Sequence, residues 1–282
     1  NLTLISAALR PHQSVIAAAS AHINTHETGA IEATGHKVVT IESSDGKITE
    51  ADIRKTSTDH WQDPTHEHIS QPALVYISQP TECGTTYSLQ EVEALSQACR
   101  ELDLLLYVDG ARLGYSLVAS DQAPGLADLA KLTDAFYIGG TKVGALFGEA
   151  LVISNKSLAK DFRYIIKQRG GLLAKGRMLG LQFLALFEDD LYFEISKYAV
   201  DQAKRIKAAC KDAGYDFLYD SYTNQQFPIL PQEKIDKLQQ HFAFHIWQQV
   251  GNNHAAVRFC TSWATPTQHV DALIEHLQGG KL

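Results

Sequence analysis

Reactive chemistry in this sequence concentrates on a lysine set among glycines. Ala135 to Ile138 is an apolar, aromatic run that reads as a short buried strand. It ends in Gly139, Gly140 and Thr141, followed by Lys142 and then Gly144. A lysine at the end of a buried strand is expensive unless its ammonium is paired or neutralised. Flanking glycines let the backbone turn and approach another group closely. Two readings fit: a surface lysine beside a glycine turn, or an amine held neutral or as an imine, as in the Schiff-base lysine of a carbonyl cofactor.

Three other side chains bear on that choice. Asp109 closes the apolar run Leu104 to Val108. It either caps a turn or pairs with Arg112, or it meets a buried cation; a pyridinium nitrogen would serve, keeping a pyridoxal ring charged as an electron sink. His22 follows the apolar run Ser14 to Ala19. It is either a polar loop residue or a ring that stacks on a cofactor and lends a nitrogen to proton transfer. His26 lies nearby, but the spacing suggests no third ligand, so no metal is expected. Arg258, in the alternating stretch Val257 to Thr261, is either a solvent-facing edge residue or a bidentate clamp for a carboxylate. Lys175 and Arg177 are ordinary surface charge or contacts to a phosphate, across a subunit boundary.

The elements that must position these groups are strands alternating with helices. Strands are expected at Ser14–Ala19, Lys37–Ile41, Ala73–Ile77, Leu104–Val108, Ala135–Ile138 and Ala150–Ile153. Between them lie a short helix over His26–Thr34, a helix starting at Thr49, and one opened by the Ser88/Glu91 capping box. Strands apolar on both faces imply an α/β fold with a mainly parallel central sheet covered on both sides. Ligands bind such sheets at the carboxyl ends of the strands, where His22, Asp109 and Lys142 all fall. From Lys156 to about Tyr198 the pattern is helical, and a long helix runs to Ala213. A smaller α+β unit follows, with strands at Ala243–Trp247 and Ala256–Thr261 and a helix started by Thr265, Pro266 and Gln268. The expected division is a large domain over 1–190 and a small C-terminal domain over 191–282.

Composition bounds the rest. The 282 residues are 45% hydrophobic and 20% charged, with net charge −7. This describes a globular protein without the basic stripe of a nucleic-acid binder, and no apolar run is long enough to span a membrane. Cys83, Cys99, Cys210 and Cys260 lack CxxC spacing and suggest free thiols in a reducing, cytoplasmic setting. The chain opens inside a helical pattern with no Met, which suggests a preceding segment.

Together, His22 to Ala30, Asp109 to Leu113, Gly139 to Lys142, and Arg258 ahead of Thr261, Ser262 and Trp263 resemble the low-specificity threonine aldolase family. These are pyridoxal phosphate (PLP) enzymes of the aspartate-aminotransferase fold type (fold type I), related to β-eliminating lyases. The resemblance covers essentially the whole chain, in order. It implies that Lys142 carries PLP as a Schiff base, Asp109 pairs with the pyridine nitrogen, and Arg112 sits near the ring's phenolic oxygen. It further implies that His22 stacks on the ring and Arg258 holds the amino-acid carboxylate. Lys175 and Arg177 match, less closely, a segment reaching a neighbouring subunit's phosphate, so a homo-oligomer (dimer or tetramer) with shared sites is expected. Relatives carry a phosphate-binding Gly-Thr turn just upstream of the helix that opens this chain. They also place a histidine where this chain has Glu82. Glu82 is then either the base for a substrate hydroxyl or a brace for the backbone N–H groups of Cys83 and Gly84. The implied reaction is retro-aldol cleavage of a β-hydroxy-α-amino acid to glycine and an aldehyde. The alternatives are another PLP-dependent lyase, an aminotransferase, or a relative that binds PLP without turnover.

Overall fold

Six strands line up side by side in one sheet, which a computed structural model describes over residues 1–279. The strands are β1 (Gln13–Ala18), β2 (Val38–Ile41), β3 (Gln71–Ser78), β4 (Leu105–Asp109), β5 (Ala135–Gly139) and β6 (Glu149–Ile153). Their order is β2-β1-β3-β4-β5-β6. The first five are parallel and β6 runs antiparallel to β5. β3, β4 and β5 are buried along nearly their whole length. That is why they lack alternation: helices cover both faces, and each fully buried large apolar side chain contributes about 1.5–3 kcal/mol.

The covering helices of the first half are α1 (Leu2–Ala8), α2 (His22–Thr25), α3 (Glu50–Gln62), α4 (Leu89–Glu101), α5 (Leu113–Ala119) and α6 (Leu126–Leu132). Capping boxes form at Thr49/Asp52 and Ser88/Glu91, so both helices start where the sequence placed them. The expected helix over His26–Thr34 is not formed. One helical turn, α2, begins at His22 itself, and a 3₁₀ turn at Glu32–Thr34 is closed by Gly35 at φ 92°. Thr28 and Gly29, both at positive φ, break the stretch between them.

The helical stretch after β6 divides into α7 (Lys156–Ala159), α8 (Phe162–Gln168), α9 (Arg177–Phe187) and α10 (Leu191–Asp212). Gly170 at φ 82° interrupts it, and Asp189 and Asp190, at φ 49° and 59°, kink the entry to α10. Tyr192, Ala199 and Val200 of α10 join the core of the large sheet, while Ile206 and Cys210 join a second core. That second core lies under β7 (Gln225–Gln226), β8 (Ile229–Pro231), β9 (His245–Val250) and β10 (His254–Cys260), with α11 (Gln232–Leu238) and α12 (Thr267–Leu277). β10 pairs antiparallel with β7, β8 and β9. β9 begins two residues later than the sequence suggested. α12 has Pro266 as its N-cap, not as its first helical residue, and no side-chain cap. The Thr265 hydroxyl accepts instead from the Ser262 N–H at 2.8 Å, which tightens the turn leaving β10.

Parallel strands put all their carboxyl ends on one edge. His22 follows β1, Glu82 follows β3, Asp109 ends β4 and Lys142 follows β5, so residues up to 120 positions apart in sequence converge by topology alone. Two glycines make the edge close enough. The Gly139 N–H donates to the Gly110 carbonyl at 2.8 Å. A Cβ on Gly110 would lie 1.8 Å from the Tyr137 carbonyl oxygen, so only glycine fits there.

Candidate active site

Asp109 lies at the bottom of the site, 4% exposed. Its Oδ1 accepts from the Tyr137 hydroxyl and from the Ala111 N–H at 2.9 Å. Its Oδ2 accepts from the Tyr76 hydroxyl and from Asn1 Nδ2 at 2.9 Å. Burial alone would raise this carboxyl, but the bonds from Tyr137, Tyr76, Ala111 and Asn1 outweigh it and hold it below the usual range, hence ionised. Of its two simpler readings, the turn cap is present through Ala111, whereas no ion pair with Arg112 forms among the described residues.

Lys142 is half-buried, and its backbone is pinned by the Tyr115 hydroxyl on its carbonyl. Burial lowers its amine, and the Arg112 guanidinium lowers it further. No carboxylate pairs with it among the described residues. An amine moved toward its neutral form is the state that attacks a carbonyl. Nearby, Glu149 braces the turn, accepting from the Gly140 N–H at 2.5 Å and from the Thr141 hydroxyl at 3.1 Å.

His22 and Glu82 meet at the same edge. The His22 backbone N–H donates to Glu82 Oε1 at 3.1 Å, and the Ser78 hydroxyl donates to the same oxygen at 2.8 Å. Glu82 therefore does not brace Cys83 and Gly84; the Gly84 N–H goes to the Thr81 carbonyl. Burial, then the charge of Asp109, raises the Glu82 carboxyl. The His22 ring is engaged through Nδ1 by Glu27 Oε1 at 2.9 Å. That bond raises the imidazole above its ordinary value against the opposing effect of burial. Glu27 also accepts from Asn1 Nδ2 at 2.7 Å, which links His22 to Asp109.

A cavity of about 290 Å³ is lined by His22, Glu82, Arg112, Lys142 and Arg258, together with His26, Gln225, His245 and Trp247. Five of the residues singled out in the sequence thus share one cavity; Asp109 does not line it, but its charge acts on His22 and Lys142, which do. Lys175 and Arg177 are elsewhere: both are exposed, at the start of α9, and neither lines this cavity. The sequence reading passed over Glu27, Tyr76, Tyr137, Gln225 and Trp247. Tyrosines at 76, 107 and 137, one in each of three neighbouring aliphatic strands, were the available signal, since a hydroxyl buried in a parallel sheet needs a partner. Gln225 offered none, because its contacts come from a strand 33 positions away.

The donor set fits PLP. An ionised, buried carboxylate suits a pyridinium nitrogen, and an amine of lowered basicity stands after the adjacent strand. Arg112 and Arg258 bring two guanidinium groups to the same cavity, where they suit the carboxylate of an amino acid.

The family model of the β-eliminating lyases matches residues 1–232. A low-specificity L-threonine aldolase of Pseudomonas sp. is 32% identical over 276 residues, covering 97% of this chain and 78% of that one. A solved threonine aldolase of Leishmania major is 45% identical, with a TM-score of 0.95 over 99% of this chain and 80% of its own. An aspartate aminotransferase variant of Thermus thermophilus, 14% identical, shares the fold with a TM-score of 0.68 over 99% of this chain and 73% of its own.

Because the bond to Glu27 is the largest effect raising His22, ahead of the charges of Asp109 and Glu82, Glu27→Gln should lower the imidazole pKa. Proton NMR of the His22 ring through a pH titration measures this, and an unmoved pKa would show that Glu27 does not set the charge of His22.

Proposed function

Since this chain belongs to the β-eliminating lyase family and, within it, to the low-specificity threonine aldolases, we propose that it cleaves L-threonine, L-allo-threonine or a related β-hydroxy-α-amino acid to glycine and an aldehyde, using PLP. The observation that carries this reading is the pairing of an ionised Asp109 with a low-basicity Lys142 on adjacent strand ends, beside a cavity that Arg112 and Arg258 line. Bound PLP would supply an electron sink for the pair released when the Cα–Cβ bond breaks.

The roles of this chain's residues follow from their chemistry. Lys142 would hold the cofactor through its amine. Asp109 would pair with the ring nitrogen and favour its protonated form, and Tyr76 and Tyr137 help keep Asp109 ionised. Arg112 would hold the ring's phenolic oxygen and His22 would stack on the ring; both line the cavity. Arg258 clamps the substrate carboxylate, which fixes the rotation about Cα so that the Cα–Cβ bond can align for cleavage. Glu82 takes the β-hydroxyl proton, directly or through water. Its raised pKa matches it to a hydroxyl better than an ordinary carboxylate would.

In this reading 1–190 forms the cofactor-binding unit and 191–282 the small domain, with α10 shared between their cores. The setting is cytoplasmic and reducing, which accords with four unpaired cysteines. Among the described residues no helix is long and apolar enough to cross a membrane. The protein is an oligomer, a dimer or tetramer, in which Lys175 and Arg177 reach a neighbour's phosphate. Support comes from α9, which exposes Met178, Leu181 and Leu184 as a stripe beside those two basic residues.

Three measurements test these statements. PLP-loaded protein should release acetaldehyde and glycine from L-threonine, and Lys142→Ala should not; transamination of threonine without acetaldehyde would overturn the reaction. Glu82→Gln should lower kcat about 100-fold or more with little change in KM, and remove the acidic limb of the pH–rate profile, which for wild type lies above the usual carboxylate range. A near-normal kcat would return the base role to His22 or water. Light scattering should give at least a dimer, and a monomer that retains PLP tightly would count against shared sites.

A further inference from the structure

Arg258 is held without an acid. Among the described residues no Asp or Glu lies within ion-pair distance of it. Its guanidinium carbon sits 5.1 Å from the ring centroid of Trp247, and its Nη1 donates to Gln225 Oε1 at 3.4 Å. Both partners are fixed in turn. Trp247 packs edge-on against Phe227 at 5.2 Å and His245 at 6.1 Å. Gln225 faces Cys260 across the β7–β10 ladder and is wholly buried.

The orientation of the Gln225 amide follows from chemistry. A guanidinium only donates, so the atom facing it must be the oxygen; the Cys260 thiol, 3.7 Å away, also points to that oxygen. Among the described residues the buried amide nitrogen then has no partner. A buried orphan donor destabilises a fold, and an apolar residue of the same length would remove that cost. Gln225 therefore stands where stability alone favours methionine or leucine. Conflicts of this kind are expected where function is at stake.

We propose that Gln225, with Trp247, is a positioning residue that aims Arg258 at an α-carboxylate by neutral contacts, leaving the full positive charge free for the ligand. An acidic residue would hold the arginine equally well, but the incoming carboxylate would then have to displace it. A carboxamide oxygen and an aromatic face orient the cation without neutralising it. The inference rests on the reading of Arg258 as the carboxylate clamp. It adds that binding at this clamp depends on the absence of charge at position 225.

The test uses PLP-loaded protein, with glycine and glycine methyl ester as probes and the absorbance of the bound cofactor as the readout. The near-isosteric change Gln225→Glu places a carboxylate on Arg258. It should weaken glycine binding roughly 30-fold or more while changing ester binding less than about threefold, since only glycine carries the competing charge. Gln225→Met should unfold at the same temperature or higher, yet bind glycine roughly 3- to 10-fold less tightly, because it orients Arg258 poorly. Equal losses for glycine and the ester, or a lower unfolding temperature for Gln225→Met, would mean a merely structural role and overturn the proposal. Wild-type glycine affinity in Gln225→Glu would do the same. Arg258→Ala is the control that separates the two levels. If it leaves the ratio of glycine to ester binding unchanged, the clamp reading itself fails. If it collapses that ratio while Gln225→Glu does not, only the role of Gln225 fails.

Discussion

The structure depends on keeping one carboxylate ionised where water does not reach it. Asp109 is buried at the centre of the sheet, and burial by itself favours its neutral form. Four donors reverse that preference: two tyrosine hydroxyls from neighbouring strands, a backbone N–H two residues on, and the Asn1 amide. Each donor requires its own element to be in place, so the charge state of the site reports the assembly of the sheet. The β3–β4 register, with Tyr76 beside Tyr107 and Ser78 beside Asp109, brings the Tyr76 hydroxyl within reach, and the β4–β5 register, with Val108 beside Phe136, brings that of Tyr137.

From that anchor two polar connections lead to the rim of the cavity. One passes through Asn1 and Glu27 to the His22 ring. The other passes through Tyr76 and Ser78 to Glu82, the Ser78 hydroxyl lying 3.4 Å from that of Tyr76 and 2.8 Å from the Glu82 carboxylate. The candidate acid–base groups thus stand on the same scaffold that fixes the ionised aspartate. Burial first, then the charge of Asp109, raises Glu82, while the bond to Glu27 first, then nearby carboxylate charge, raises His22.

The upper part of the cavity is organised oppositely. Arg112, Lys142 and Arg258 carry no protein carboxylate partner among the described residues, although the chain as a whole has net charge −7. Burial and mutual repulsion lower Lys142, and tyrosine, tryptophan and glutamine side chains do the positioning that acids would otherwise do. Two guanidinium groups without carboxylate partners among the described residues, and an amine of lowered basicity between strands, face one cavity; the small domain contributes Arg258 and its supports, and the large sheet contributes the rest.

Much of this was legible in the sequence. Apolar runs without alternation specified buried parallel strands, because burial on both faces removes the period-two pattern. Capping boxes marked Thr49 and Ser88 as helix starts, because those interactions are local. The types of His22, Asp109, Lys142 and Arg258, each placed against an apolar run, indicated the chemistry. Contacts that cross the sheet were decided only by the tertiary structure. That Glu27 turns back onto His22 depends on two positive-φ residues that broke an expected helix. That Tyr76 and Tyr137 serve Asp109 depends on strand register, and that Gln225 meets Arg258 depends on an antiparallel pairing between distant segments. Sequence patterns encode which face of an element is buried; the choice of partner across that face is a long-range geometric outcome, set when the strands align.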